Sequence, residues 1–167
     1  KIKVMHEAWL SESYRQYAVR DKRVEYFSEV EGCIKFPRFR NHDVYTNHTW
    51  LWKWHPTYRR MESIYKWADV VVCAPGGICM GGFQDWNHLY HLRLAQLFKR
   101  PLAYYGRSFG PFPTETERNR QFKKISLDML HYFGYLSIRD HKTELLADEL
   151  KVPYISTIDS AFLDSPK

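Results

Sequence analysis

The sequence predicts an α/β fold, a Rossmann-like open parallel sheet flanked by helices. Three observations point there. Asp69–Ala74 is an almost unbroken apolar run, closed by Pro75, Gly76 and Gly77. Shorter runs recur at Leu102–Tyr105, Tyr135–Ile138 and Tyr154–Ile158. Between successive runs lie stretches of helical periodicity, which makes the strands parallel and the crossovers right-handed.

Each element has its own reason. Lys1–Met5 alternates as a strand does, and Val24–Phe27 is a candidate second strand. Residues 36–55 are crowded with aromatic, proline and histidine residues. There Trp50, Trp52 and Trp54 alternate. They either pack beneath a long loop, the favoured reading, or offer rings on which sugars or bases stack. Tyr58–Trp67 places Met61, Ile64, Tyr65 and Ala68 on one helical face, with Glu62 and Lys66 paired at i,i+4. An apolar run such as Asp69–Ala74 marks a strand buried on both faces of a parallel sheet. The fold reading depends on it: a helix or an exposed edge there would undo the argument. Leu89, Leu92, Ala95, Gln96 and Phe98 continue a helix ending near Arg100 and Pro101. Thr114–Glu117 reads as a capping box for a helix burying Phe122, Ile125, Met129 and Phe133. Lys142–Leu150 is the last helix, with Asp140 as its N-cap.

At 167 residues the chain is read as one domain, residues 1–167. Leu, Ile, Val and Phe make up about a quarter of it, enough for a core. The apolar runs fall short of the ~20 residues a membrane-spanning helix needs. No signal-type leader is visible, and the opening residue, Lys1, reads as part of a longer protein. The net charge of +6 suits an anionic partner such as phosphate, a sugar nucleotide, nucleic acid or a membrane surface, without choosing among them. Cys33, Cys73 and Cys79 form neither a CxxC pair nor a disulfide framework; they read as free thiols in a reducing compartment, Cys73 buried in its strand. His88 and His91 read as surface residues, and Asp85, His88 and His91 are not expected to bind a transition metal. Neither GxGxxG nor a Walker sequence is present.

In an open parallel sheet, ligands bind outside the carboxyl ends of the strands. The segments leaving those ends are Pro75–Asp85, Gly106–Pro113, Arg139 with Asp140, and Asp159–Phe162. They carry glycines, Arg107, Ser108, Arg139 and Asp159, an equipment suited to an anion. The competing reading of Arg139 is a structural ion pair with Asp140, Asp159 or Asp164.

These segments, taken in order, resemble the polysaccharide pyruvyl transferase family over residues 65–163. The landmarks are Ala68–Val72 with Pro75, Gly76 and Gly77; Ala95 with Lys99–Leu102; Tyr105–Phe112; Ser137–Asp140 with Thr143 and Leu146; and Asp159–Leu163. The resemblance implies pyruvyl transfer from phosphoenolpyruvate to a sugar of a cell-surface polysaccharide, forming a ketal. It implies one lobe of a double-Rossmann, GT-B-like architecture, no cofactor beyond the donor substrate, a glycan or lipid-linked sugar acceptor and no nucleic acid partner. A cytoplasmic location follows, with peripheral membrane association left open. That chemistry needs cations on phosphate and carboxylate, an acid for the enol carbon and a base for the sugar hydroxyls. By resemblance Arg139 holds the donor, and Gly76 and Gly77 form the glycine loop beside it. Ser108 and Asp159 join them as substrate-binding candidates. Arg107 stands where the family usually carries Gln, so it adds a donor contact or alters the acceptor. The family's amino-terminal glycine-rich stretch is not found, and the second lobe, expected to supply a histidine and further arginine, is missing. The catalytic acid is therefore unassigned, and the chain is expected to be an amino-terminal lobe, inactive alone. The alternatives are a non-catalytic glycan-binding module, or a lobe of a nucleotide-sugar glycosyltransferase.

Overall fold

A computed structural model describes residues 1–6, 21–28, 56–76, 79–159 and 162. One sheet pairs β1 (Ile2–His6) with β2 (Val24–Ser28) in parallel, at the two strands the alternation predicts. A second sheet has four parallel strands in sequential order: β3 (Val71–Cys73), β4 (Leu102–Tyr104), β5 (Tyr135–Ile138) and β6 (Ile155–Ser156). Helices α1 (Pro56–Trp67), α2 (Trp86–Leu97), α3 (Glu117–Tyr132) and α4 (His141–Glu149) alternate with these strands.

The helix starts follow from capping side chains. Asp85 caps α2 by accepting the His88 N–H, and Asp140 caps α4 by accepting the Thr143 N–H, each at 2.9 Å. The box predicted at Thr114–Glu117 is corrected. The cap of α3 is Thr116, whose hydroxyl accepts the Asn119 N–H at 3.1 Å. Glu117 turns to Arg120 instead, at 2.8 Å, and the Thr114 carbonyl accepts from the same arginine. On α1, Glu62 and Lys66 pair at 2.7 Å.

The core lies between the sheet and the helices, built from Tyr65, Leu89, Tyr90, Leu94, Leu102, Tyr104, Phe122, Met129, Leu136 and Ile138. Helix α2 is buried on almost every side: of residues 89–95, all but Arg93 are buried. This corrects the expectation that His88 and His91 are surface residues. His91 is buried, its Nδ1 3.2 Å from the Tyr65 hydroxyl, and half-buried His88 turns Nε2 to the Cys73 sulfur at 3.5 Å. The helix packs against both α1 and α3, which covers most of its surface.

A second correction concerns β3. It is a parallel strand as expected, yet it is not buried on both faces, and among the described residues it ends the row. Cys73 faces the core, whereas Val72 keeps 57% of its exposure. The reason is topological. Sequential strands joined by right-handed crossovers place every connecting helix on the same face. The opposite face, with Val72, Tyr135 and Ile155, stays open to solvent among the described residues. Among the described residues β3 is thus the exposed edge that was expected to undo the fold reading, and that condition was too strict: the reading needs a shared strand direction, which the ladder from β3 to β6 provides.

Candidate functional site

Because the four strands run the same way, the segments leaving them meet at one edge of the sheet. The β3–β4 ladder breaks at Ala74 and Pro75 and resumes in the same register, with Gly76 opposite Arg107. A Cβ at position 76 would begin 3.2 Å from Arg107 Nη2, so glycine lets the guanidinium lie directly against the backbone. Arg139, one residue past β5, reaches the same glycine and donates from Nη2 to its carbonyl at 3.2 Å. Its Nη1 stands 2.7 Å from the Asp159 carboxylate. Gly76, Arg107, Arg139 and Asp159 are thus brought together. Gly77 lies outside the described residues, as do Cys33, Trp50, Trp52, Trp54 and Asp164.

Arg107 is held by a sleeve of groups. Its Nη1 donates to the Ala74 carbonyl at 3.1 Å and to the Cys73 sulfur at 3.2 Å. Its Nη2 donates to the Cys79 sulfur at 2.8 Å, and the guanidinium carbon sits 5.7 Å from the centre of the Tyr104 ring. Burial pushes the Cys73 thiol up to about 11 against the opposing pull of Arg107, so at neutral pH it is protonated. The sequence offered no signal for this sleeve. It arises from strand register, which sets Cys73 beside Tyr104 and brings Arg107 back over both.

Ser108, a substrate-binding candidate, follows Arg107 directly on the same turn. It donates its hydroxyl to Asp140 Oδ2, which also accepts from the Thr143 hydroxyl at 2.8 Å. Burial raises the Asp140 pKa, but the bonds from Ser108 and Thr143 and the charge of Arg139 outweigh it and hold the carboxyl below the ordinary range. Ser108 therefore ties the turn bearing Arg107 to the helix that follows Arg139. The buried Ser137 hydroxyl adds a second tie by accepting the Gly106 N–H at 2.8 Å.

The segment after β3 docks on that turn. Gly110 donates its N–H to the Met80 carbonyl at 2.7 Å, and a Cβ on Gly81 would lie 2.5 Å from the Gly110 oxygen. Residues 79–85 close on themselves through the Met80–Gln84 bridge and the Asp85 N–H on the Cys79 carbonyl. Among the described residues, no group of three His, Cys, Asp or Glu side chains gathers as a metal ion would need. No described helix is long and apolar enough to cross a membrane.

Fold and edge together define a parallel α/β protein in which two arginines close on one glycine at the strand ends. The polysaccharide pyruvyl transferase family model matches residues 15–167, and the chain belongs to this transferase family. No curated protein and no solved structure gave a match.

Proposed function

We propose that the chain is the amino-terminal lobe of an enzyme that transfers pyruvate from phosphoenolpyruvate to a sugar of a cell-surface polysaccharide as a ketal. The observation that carries this reading is the meeting of Arg107 and Arg139 on Gly76 in a chain of this family. The donor carries a carboxylate and a phosphate, and a planar guanidinium takes either through paired hydrogen bonds. Arg139 binds one anionic end, with Asp159 and the Gly76 carbonyl aiming its fork. Arg107 faces the other. Ketal formation puts two sugar oxygens on the former enol carbon: one adds across the double bond as the adjacent carbon takes a proton, the other displaces the phosphate, and the two hydroxyl protons pass to a base and to the departing phosphate. A second lobe, arranged as in GT-B enzymes, supplies the proton for the adjacent carbon. The acceptor is a glycan or lipid-linked sugar met in the cytoplasm, at the membrane surface when lipid-linked; no cofactor is needed.

Pyruvate transfer by the full-length protein, measured with wild type and Arg139→Lys, tests this. Lysine keeps the charge and loses the fork. At about 1.5–3 kcal/mol for a charged hydrogen bond, kcat/KM for the donor should fall roughly tenfold or more. Normal activity per folded molecule would remove Arg139 from the donor site. Turnover by the isolated chain would remove the requirement for a second lobe.

A further inference from the structure

Two sulfurs and an imidazole gather at Arg107, and donor binding uses none of them. Cys73, at the end of β3, accepts from Nη1 at 3.2 Å, and Cys79, in the segment that follows, accepts from Nη2 at 2.8 Å. Neither is in a disulfide; Cys73 is buried and Cys79 half-buried. His88 of α2 turns its Nε2 to the Cys73 sulfur at 3.5 Å. Cys79, Arg107, Cys73 and His88 thus touch in an unbroken chain. We infer that Cys73 and Cys79 are a redox pair, which peroxide joins in a disulfide that releases Arg107 from its place against Gly76. The pairing stands apart from the pyruvyl-transfer reading; only its effect on donor binding rests on that reading.

Environment divides the roles. A guanidinium bonded to sulfur favours the thiolate, the form that attacks, and Cys79 is the more accessible of the two. Its sulfur takes one oxygen of the peroxide and becomes a sulfenic acid, while the other oxygen leaves as hydroxide and is protonated to water. Cys73 is the resolving thiol. Burial keeps it protonated at neutral pH, so it does not meet peroxide first. As its sulfur attacks that of Cys79, His88 Nε2 takes its proton, the S–S bond forms, and the hydroxyl on Cys79 leaves as a second water. Two thiols are oxidised by two electrons in all, and one peroxide is reduced to two waters. The bridge acts on the arginine because a disulfide is uncharged and a poor acceptor. Arg107 loses both sulfur bonds and keeps the one to the Ala74 carbonyl, so its fork is no longer fixed against Gly76.

The test is treatment of the full-length protein with hydrogen peroxide, then alkylation and non-reducing peptide mapping. A peptide linked through Cys73 and Cys79 should appear, and dithiothreitol should remove it. Calorimetric titration with phosphoenolpyruvate should show binding weakened about two- to tenfold in the oxidised protein, the cost of immobilising one released side chain, and restored on reduction. Cys79→Ser should yield no linked peptide, and peroxide should not weaken its donor binding. Cys73→Ser should stop at the Cys79 sulfenic acid, which dimedone traps, and His88→Gln should build up the same acid before the bridge closes. Oxidised wild type without the linked peptide overturns the inference and leaves the two thiols as passive acceptors for a cation. So does a bridge that leaves phosphoenolpyruvate binding unchanged or tighter. A reduced wild type that binds no phosphoenolpyruvate overturns the donor reading alone, and the linked peptide still decides the redox pair.

Discussion

Replacing Asp159 and Arg139 singly and together should reveal how firmly the strand-end arginine is held. Its two terminal nitrogens stand 2.7 Å from the Asp159 carboxylate and 3.2 Å from the Gly76 carbonyl. The two side chains keep 22% and 32% of their exposure, so the pair sits between the wet and dry regimes. Exposed pairs contribute about 0.2–1 kcal/mol, whereas breaking a buried pair costs about 3–5 kcal/mol. Asp159→Asn should accordingly cost about 1–2 kcal/mol. Arg139→Gln loses the pair and also the carbonyl bond, which adds about 0.5–1.5 kcal/mol. In urea denaturation, the double variant should fall short of the summed losses by about 1 kcal/mol, because the pair can be broken only once. Additivity within about 0.3–0.5 kcal/mol would refute the ion pair, and with it the argument that Asp159 aims the guanidinium.

Gly81→Ala must push backbone away at 2.5 Å and should cost about 2 kcal/mol or more, while Gly82→Ala, facing open space, should cost little. Thermal unfolding of the two decides it: equal melting temperatures would sink the docked-loop picture. Iodoacetamide at pH 8 should label half-exposed Cys79 well before Cys73, whose buried thiol is pushed up to about 11. Peptide mapping checks the order, and equal rates would contradict the burial of Cys73. Asp140 is held below the ordinary carboxylate range, so its stabilisation is present in full above about pH 4 and is lost as pH falls through its lowered folded value. Ser108→Ala should therefore be less stable than wild type at pH 7, with the gap closing as pH drops toward 2. A gap constant with pH would separate Ser108 from the Asp140 charge.

The topology was legible because its signals are local. Asp69–Ala74, the Pro-Gly stop after it and the cap at Asp140 need no distant partner to be read. The helix around His91 was harder, because a helix buried on nearly every side loses the one-faced pattern that marks burial in a sequence. Val72 misled in the opposite direction: an apolar run tells that a strand is parallel, but which faces are covered depends on the direction in which the sheet winds. At the edge, Arg139 was legible as a cation needing a partner among three nearby aspartates. The structure pairs it with Asp159 and commits Asp140 to Ser108 and Thr143. The Arg107 contacts with Cys73 and Cys79 were not legible, since they join residues more than twenty-five positions apart, at |i−j| of 34 and 28.

The contact of Gly81 on Gly110 has a consequence for protein engineering. Two backbones meet there with no side chain between them to yield, and the Gly110 N–H is spent on Met80 across the same seam. Neither segment can be lengthened, shortened or exchanged for a homologous one without a matching change in the other. A graft that imports residues 79–85 from a relative must bring the Gly106–Pro113 turn with it. Chimaeras cut between the two should fold poorly even when each half is native in its own parent.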